Sequence, residues 1–219
     1  MPGDLIIFDF DGTLADSWRD IATALNRTLA EAGLPETSIA HVRAWIGEGV
    51  VALLRRAAGD AEGDRLAALH ARYGAHYERC CLETTTLYPG MCEALDAMGD
   101  HTLAVLSNKP ACFLVRMLTG LGVADRFAAA VGGDVVPASK PDPAAIGYVV
   151  GALAVAPARV WMVGDSAVDV AAGRAFGART VGCAWGLRGA DELHRAGAEF
   201  VIAHPCELVP IIAEGERRD

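Results

Sequence analysis

Short continuous apolar runs alternate with helical patterns along most of this chain, and that alternation constrains its fold more than any other feature. The first run, Leu5-Ile6-Ile7-Phe8, ends in Asp9-Phe10-Asp11-Gly12-Thr13. A run that is apolar at every position reads as a strand buried on both faces, and the polar residues after it as a turn. Similar runs lie at Leu103–Leu106, Phe127–Val131, Val160–Val163 and Thr180–Cys183, with a weaker one at Glu199–Ile202. Helical patterns fall between them, over Gly90–Met98, Ala111–Leu121, Pro143–Leu153 and Val168–Phe176. Strands that alternate with helices predict an α/β fold, a Rossmann-like parallel sheet covered on both faces.

One stretch breaks the alternation. From Ser17 to about Thr85 the patterns are helical only, around Ile21–Ala32, Ser38–Trp45, Val50–Ala57 and Arg65–Cys80. This predicts an all-helical cap domain, residues 17–85, inserted after the first strand of a core made of residues 1–16 and 86–219. Hinges are expected at Asp16–Arg19 and Thr84–Gly90, where Pro89-Gly90 supplies a breaker.

Composition narrows the function. The chain has 219 residues, 19 basic and 28 acidic, for a net charge of −9. At 53% hydrophobic and 21% charged it is no disordered chain. The acidic balance argues against nucleic acid or an anionic membrane as the main partner. No apolar run approaches the roughly 20 residues a membrane helix needs. Met1-Pro2-Gly3-Asp4 has no basic n-region and the following apolar run breaks at Asp9, so a cytoplasmic protein is expected. The cysteines (Cys80, Cys81, Cys92, Cys112, Cys183, Cys206) are scattered without a C-x-x-C pair and read as free thiols. His76 and Cys80, four apart on a helical pattern, could share a metal, but two ligands do not complete a zinc site. Among the basic residues only Lys109 and Lys140 are lysines, and each precedes a proline.

The chemistry gathers at the ends of the strand candidates, where ligands bind in open α/β sheets. Asp9 and Asp11 follow the first strand. Val163-Gly164-Asp165-Ser166-Ala167-Val168-Asp169 places a second acidic group after another strand, with Asp169 one helical turn on. Two acidic strand ends in one parallel sheet invite a hard divalent cation such as Mg²⁺, which takes oxygen ligands and leaves positions open for a phosphate. Leu106-Ser107-Asn108-Lys109 offers a hydroxyl, an amide and backbone donors for phosphate oxygens, and Ser139-Lys140-Pro141 offers an ammonium.

These four constellations, in this order and spacing, resemble the motifs of the haloacid dehalogenase-like hydrolases, in their phosphatase branch with a helical cap after the first strand. The resemblance spans nearly the whole chain. It implies an enzyme that hydrolyses small phosphate monoesters with Mg²⁺ through an aspartyl-phosphate. By that likeness Asp9 is the nucleophile, and Asp11 is the general acid and then the base. The metal would be held by the Asp9 and Asp165 carboxylates and the Asp11 backbone carbonyl. Ser107, Asn108 and Lys109 would bind the substrate's phosphate, and Lys140 would neutralise developing charge. Asp169 would stand behind the metal, steadying a bound water or Lys140. The carbon–halogen-cleaving branch resembles the chain less, because it lacks an Asp two residues after the nucleophile. The phosphonate-cleaving branch uses a cap lysine, and this cap has none.

The cap segment Trp45-Ile46-Gly47-Glu48-Gly49-Val50 opens a helix with a Gly-x-Gly turn, which lets backbone donors approach a ligand. It resembles the corresponding loop of phosphoglycolate phosphatases, and makes Gly47, Glu48, Gly49 and Arg55 candidates for substrate contact, with Arg43, Arg56 and Lys109 as further cations for a substrate carboxylate. The alternatives are a phosphatase for a sugar phosphate, nucleotide or pyrophosphate, a β-phosphoglucomutase-like phosphomutase, or a non-catalytic binder of phosphorylated ligands. Monomer and homodimer are both open. The expected cap carries 8 basic against 9 acidic residues, so the acidic excess falls on the core and its motif aspartates.

Overall fold

The structure, a computed structural model, describes residues 3–154 and 157–216. Met1 and Pro2, where the reading of the N-terminus begins, lie outside the described residues. In chain order the elements are β1 (Leu5–Phe8), β2 (Ala15–Asp16), α1 (Trp18–Glu31), α2 (Ile39–Trp45), α3 (Val50–Ala57), α4 (Gly63–Cys80), β3 (Thr86–Leu87) and α5 (Met91–Ala97). They continue as β4 (Thr102–Ser107), α6 (Ala111–Gly120), β5 (Ala129–Gly132), α7 (Ala144–Leu153), β6 (Val160–Gly164), α8 (Ala167–Phe176), β7 (Arg179–Cys183), α9 (Ala190–Ala196), β8 (Phe200–Ile202) and α10 (Leu208–Glu216).

Six parallel strands form the main sheet in the order β5-β4-β1-β6-β7-β8. The chain winds outward from β1 through β4 to β5, crosses back to β6 and winds the other way. The switch point is therefore the crevice between β1 and β6, where Phe8 pairs with Val163. The fold is the expected α/β one, with the fifth strand starting two residues later than its apolar run, because Phe127 closes a short 3₁₀ turn at Ala124–Arg126.

Period-two alternation divides each central strand between two cores. Ile6 and Phe8 of β1, Leu103 and Val105 of β4, and Trp161 and Val163 of β6 join one cluster with Met91 and Leu95 of α5 and Leu208 and Ile212 of α10. Leu5, Ile7, Ala104, Leu106 and Met162 face the other way, onto Ala145, Ile146 and Val149 of α7. Burial on both faces is why these strands read as continuous apolar runs. The first cluster continues through Phe10 and Leu14 into Leu25, Leu29, Val42, Leu54 and Tyr77 of α1–α4.

Helices α1–α4 hang from the sheet by two adjacent strands. β2 and β3 pair antiparallel, Ala15 with Leu87 and Asp16 with Thr86. Asp20, buried in the first turn of α1, binds the incoming strand of that junction. Its carboxylate accepts from the N–H and hydroxyl of Thr84 (3.1 and 2.6 Å) and of Thr85 (2.9 and 2.7 Å). A buried carboxylate needs such donors to offset its lost hydration.

Candidate active site

The switch point carries the acidic groups. Asp9 follows β1 directly, and its N–H donates to Val163 O at 2.9 Å. Asp165 follows β6, and Asp169 lies one turn into α8, where its carboxylate accepts from the Ser166 N–H (3.2 Å) and hydroxyl (2.6 Å) as part of a capping box. All three are buried, and one oxygen from each falls within 4.8 Å of the others. Gly12 makes this packing possible: it sits at φ +85°, and a Cβ there would overlap the Asp165 carboxylate.

Lys140 enters from the loop before α7, 4% exposed, and donates to Asp9 Oδ1 at 2.9 Å and Asp169 Oδ1 at 2.7 Å. Burial works against its charge, but the two carboxylates outweigh burial and hold the ammonium above its ordinary pKa. One lysine does not balance three carboxylates. Burial pushes Asp9 up to about 7, with Asp169 and Asp11 adding to the rise and Lys140 opposing it. Burial and the neighbouring Asp169 and Asp9 push Asp165 well above the carboxylate range. Three buried, converging, all-oxygen ligands with residual negative charge fit a hard divalent cation.

Asp11 turns to the other side of the crevice. Its Oδ1 lies 3.2 Å from Lys109 Nζ and accepts a short hydrogen bond from the Ser17 hydroxyl. The buried Lys109 ammonium also donates to the Tyr77 hydroxyl of α4 at 2.6 Å and lies 4.4 Å from that ring's centroid. Tyr77 thus ties an inserted helix to a side chain of the sheet's crevice, through a hydrogen bond and a cation–π contact. Ser107, buried at the end of β4, accepts from Lys109 N–H at 3.3 Å. The Asn108 amide donates to Lys140 O and to Gly47 O, both at 2.9 Å.

Between the sheet and the inserted helices lies a cavity of about 50 Å³. Asp9, Asp11, Ser107, Asn108 and Lys109 line its floor, and Lys109 is the one cation among its described lining residues. Gly47 and Gly49, from the loop between α2 and α3, line its roof beside Ile46, Val50 and Leu53. The other roof candidates do not join them. Glu48 pairs with Arg56 at 2.6 Å in solvent, Arg55 is exposed, and Arg43 lies 5.5 Å from the Trp18 ring centroid. His76 pairs with Glu31 at 3.1 Å and the Cys80 thiol faces Asp20 O, so these two share no ligand set.

Sequence reasoning missed three contributors. Tyr73 and Tyr77 stack at 5.5 Å and line the cavity; their i, i+4 spacing on a helical pattern was the available signal. The partners of the loop after β7 were the third. There the Trp185 indole donates to Thr13 O (3.1 Å), Leu187 N–H to Asp165 Oδ2 (2.7 Å) and Arg188 Nη2 to Ile46 O (2.6 Å). No local pattern marks a loop residue whose partner is 142 positions away.

Comparison with known proteins agrees with this geometry. Residues 6–183 match the model of the haloacid dehalogenase-like hydrolase family. A phosphoglycolate phosphatase of Cereibacter sphaeroides is 37% identical over 97% of this chain and 98% of its own length. One of Yersinia pseudotuberculosis is 32% identical over 98% and 95%. The crystal structure of a predicted phosphoglycolate phosphatase from Haemophilus somnus superposes with a TM-score of 0.89 at 29% identity, over 95% of this chain and 97% of that one. The chain therefore belongs to the haloacid dehalogenase-like hydrolases and is a phosphatase of that family.

Proposed function

We propose that this phosphatase hydrolyses the phosphate monoester of a small anionic metabolite, 2-phosphoglycolate first, with Asp9 as nucleophile. The observation that carries the reading is Asp9 itself. It is a buried carboxylate at the switch point, lying against Lys140 on one side and open to a small cavity on the other. The relatives' names supply the choice of ester.

Asp9, Asp165 and Asp169 form the acidic set, and Asp9 and Asp165, with the Asp11 backbone carbonyl, would hold Mg²⁺, leaving the Asp169 carboxylate to Lys140. When bound, the metal supplies positive charge that shields an anionic nucleophile from an anionic substrate. The Asp9 carboxylate then attacks phosphorus as the bond to the ester oxygen breaks. Asp11 gives its proton to that departing oxygen, and the product is a free alcohol with an aspartyl-phosphate on Asp9. In the second half Asp11 takes a proton from water, the water attacks phosphorus, and the bond to Asp9 breaks to give inorganic phosphate. Lys109 and Ser17 fix the Asp11 carboxyl through both halves, while Ser107 and the Asn108 N–H hold phosphate oxygens. Lys140 keeps the Asp9 oxygen in place and balances charge. Residues 17–85 act as a cap that excludes water from the reacting groups.

The roof of the cavity is apolar apart from its backbone and the Tyr73 and Tyr77 hydroxyls, and Lys109 lies at its floor. That favours a short substrate whose second anion reaches Lys109 over a sugar or nucleotide with many hydroxyls to satisfy. Measured kcat/KM across 2-phosphoglycolate, sugar phosphates, nucleotides and pyrophosphate tests the choice. The highest value is expected for 2-phosphoglycolate, and a preference of tenfold or more for a sugar phosphate overturns it. Release of an isomerised sugar phosphate in place of inorganic phosphate marks a mutase.

A further inference from the structure

We propose that Arg188 is a positioning residue that latches the loop Ile46–Gly49 onto the core and so sets the size of ester the site accepts. The inference rests on the phosphatase reading above for its substrate arm and on geometry alone for the latch.

Two core side chains grip consecutive carbonyls of that loop. Arg188 Nη2 donates to Ile46 O at 2.6 Å, and Asn108 Nδ2 donates to Gly47 O at 2.9 Å. The first is a charge-assisted hydrogen bond from a side chain that is only 17% exposed, so water competes weakly for it. The guanidinium's acidic neighbour, Glu192, is 3.9 Å away and accepts a hydrogen bond from the Ala167 N–H, which leaves the Ile46 carbonyl as the closest partner of Arg188 among the described residues. The loop accepts this close seating because Gly47 and Gly49 take φ of +120° and +87°. A Cβ on Gly49 would lie 3.2 Å from Asn108 O.

Arg188 is itself fixed to the reacting groups. Its neighbour Leu187 donates to Asp165 Oδ2, and Trp185 in the same loop donates to Thr13 O. One core loop thus touches the turn after β1, the acidic residue after β6 and the roof of the cavity. The roof it holds down faces Asp9, Ser107 and Lys109 on the cavity floor, so how far that loop can open bears on the size of leaving group the site admits. Arg188 lies outside the described lining of that cavity, so its effect on substrate passes through the loop it holds.

The test combines hydrogen–deuterium exchange with a kinetic split on the full chain. In Arg188→Ala, deuterium uptake of the peptide spanning residues 46–52 should rise several-fold while uptake of β1 and β6 stays as in the parent. For 2-phosphoglycolate, KM should rise about tenfold, the equivalent of one charge-assisted hydrogen bond, with kcat changed less. For p-nitrophenyl phosphate, whose ring needs an open roof, kcat/KM should hold or rise. Arg188→Lys keeps the charge near Asp165 without the planar fork, and should fall between parent and Ala in uptake; it carries the same test if Arg188→Ala does not fold. Unchanged uptake over 46–52 in either folded variant overturns the latch. So does an equal fall in kcat/KM for both esters, which would mean that Arg188 acts through Asp165. If the parent hydrolyses none of the esters, the phosphatase substrate reading fails, and the uptake comparison still decides the latch.

Discussion

At the scale of single residues, the site is a charge problem with a visible solution. Three buried carboxylates meet one ammonium, and Asp9 is pushed up to about 7 from the ordinary Asp value of 3.8. With its folded pKa above its unfolded one, Asp9 holds more protons in the folded state. In metal-free protein its contribution to stability is therefore complete below pH 4 and is lost as pH rises through about 7. Bound Mg²⁺ should reverse that loss. The rise in Tm on adding millimolar Mg²⁺ should be larger at pH 8 than at pH 5.5, and an equal rise at both would contradict the account. Lys140→Met should leave Asp9 and Asp169 buried without their cation and lower metal-free stability by about 3 kcal/mol or more, read from urea unfolding at pH 8. These positions were legible because each side chain falls in one of four short motifs. Asp9, Asp11, Ser107 and Asp165 come together at or just after strand ends, and Lys140 joins them from the loop before α7. Arg55 and Glu48 do not reach the cavity, since a helix's outward face and a loop's outward side look alike in sequence to those that point inward.

At the scale of elements, the strands buried on both faces were the most legible, because a short apolar run bounded by turn residues suits a central parallel strand. The inserted helices followed from 3.6-residue periodicity, α3 to the residue and α4 within two at its start. The β2–β3 pairing was not legible: two residues on each side carry no period, and their partner is set by the return of the chain 70 positions later. That junction depends on Asp20. Asp20→Ala would strand the N–H groups of Thr84 and Thr85 without their acceptor and should cost about 2–4 kcal/mol. Asp20→Asn, which still offers an oxygen, should cost less. Chemical denaturation of the two variants checks the order, and an Asn variant no better than Ala would contradict it.

At the scale of the whole molecule, one apolar cluster runs from the sheet into α1–α4, joining parts that the sequence divides sharply. Unfolding followed by single-tryptophan variants at Trp45, on an inserted helix, and Trp161, in the sheet, should give coincident urea midpoints. Separated midpoints would mean two independently folding units. The net charge of −9 gains meaning at the same scale, since part of the excess is gathered in one crevice as an acidic triad that could hold a metal ion. How the two parts meet was the least legible feature, because Tyr77, Asn108 and Arg188 find their partners only in three dimensions. The central claim is that phosphate passes through Asp9. Acid quench during turnover of 2-phosphoglycolate with Mg²⁺, followed by peptide mass mapping, tests it most directly. A phosphoryl adduct on the peptide containing Asp9 is expected, absent in a folded Asp9→Asn variant whose turnover falls by roughly 10³-fold or more. Undiminished turnover in Asp9→Asn, or an adduct on another residue, would contradict the account.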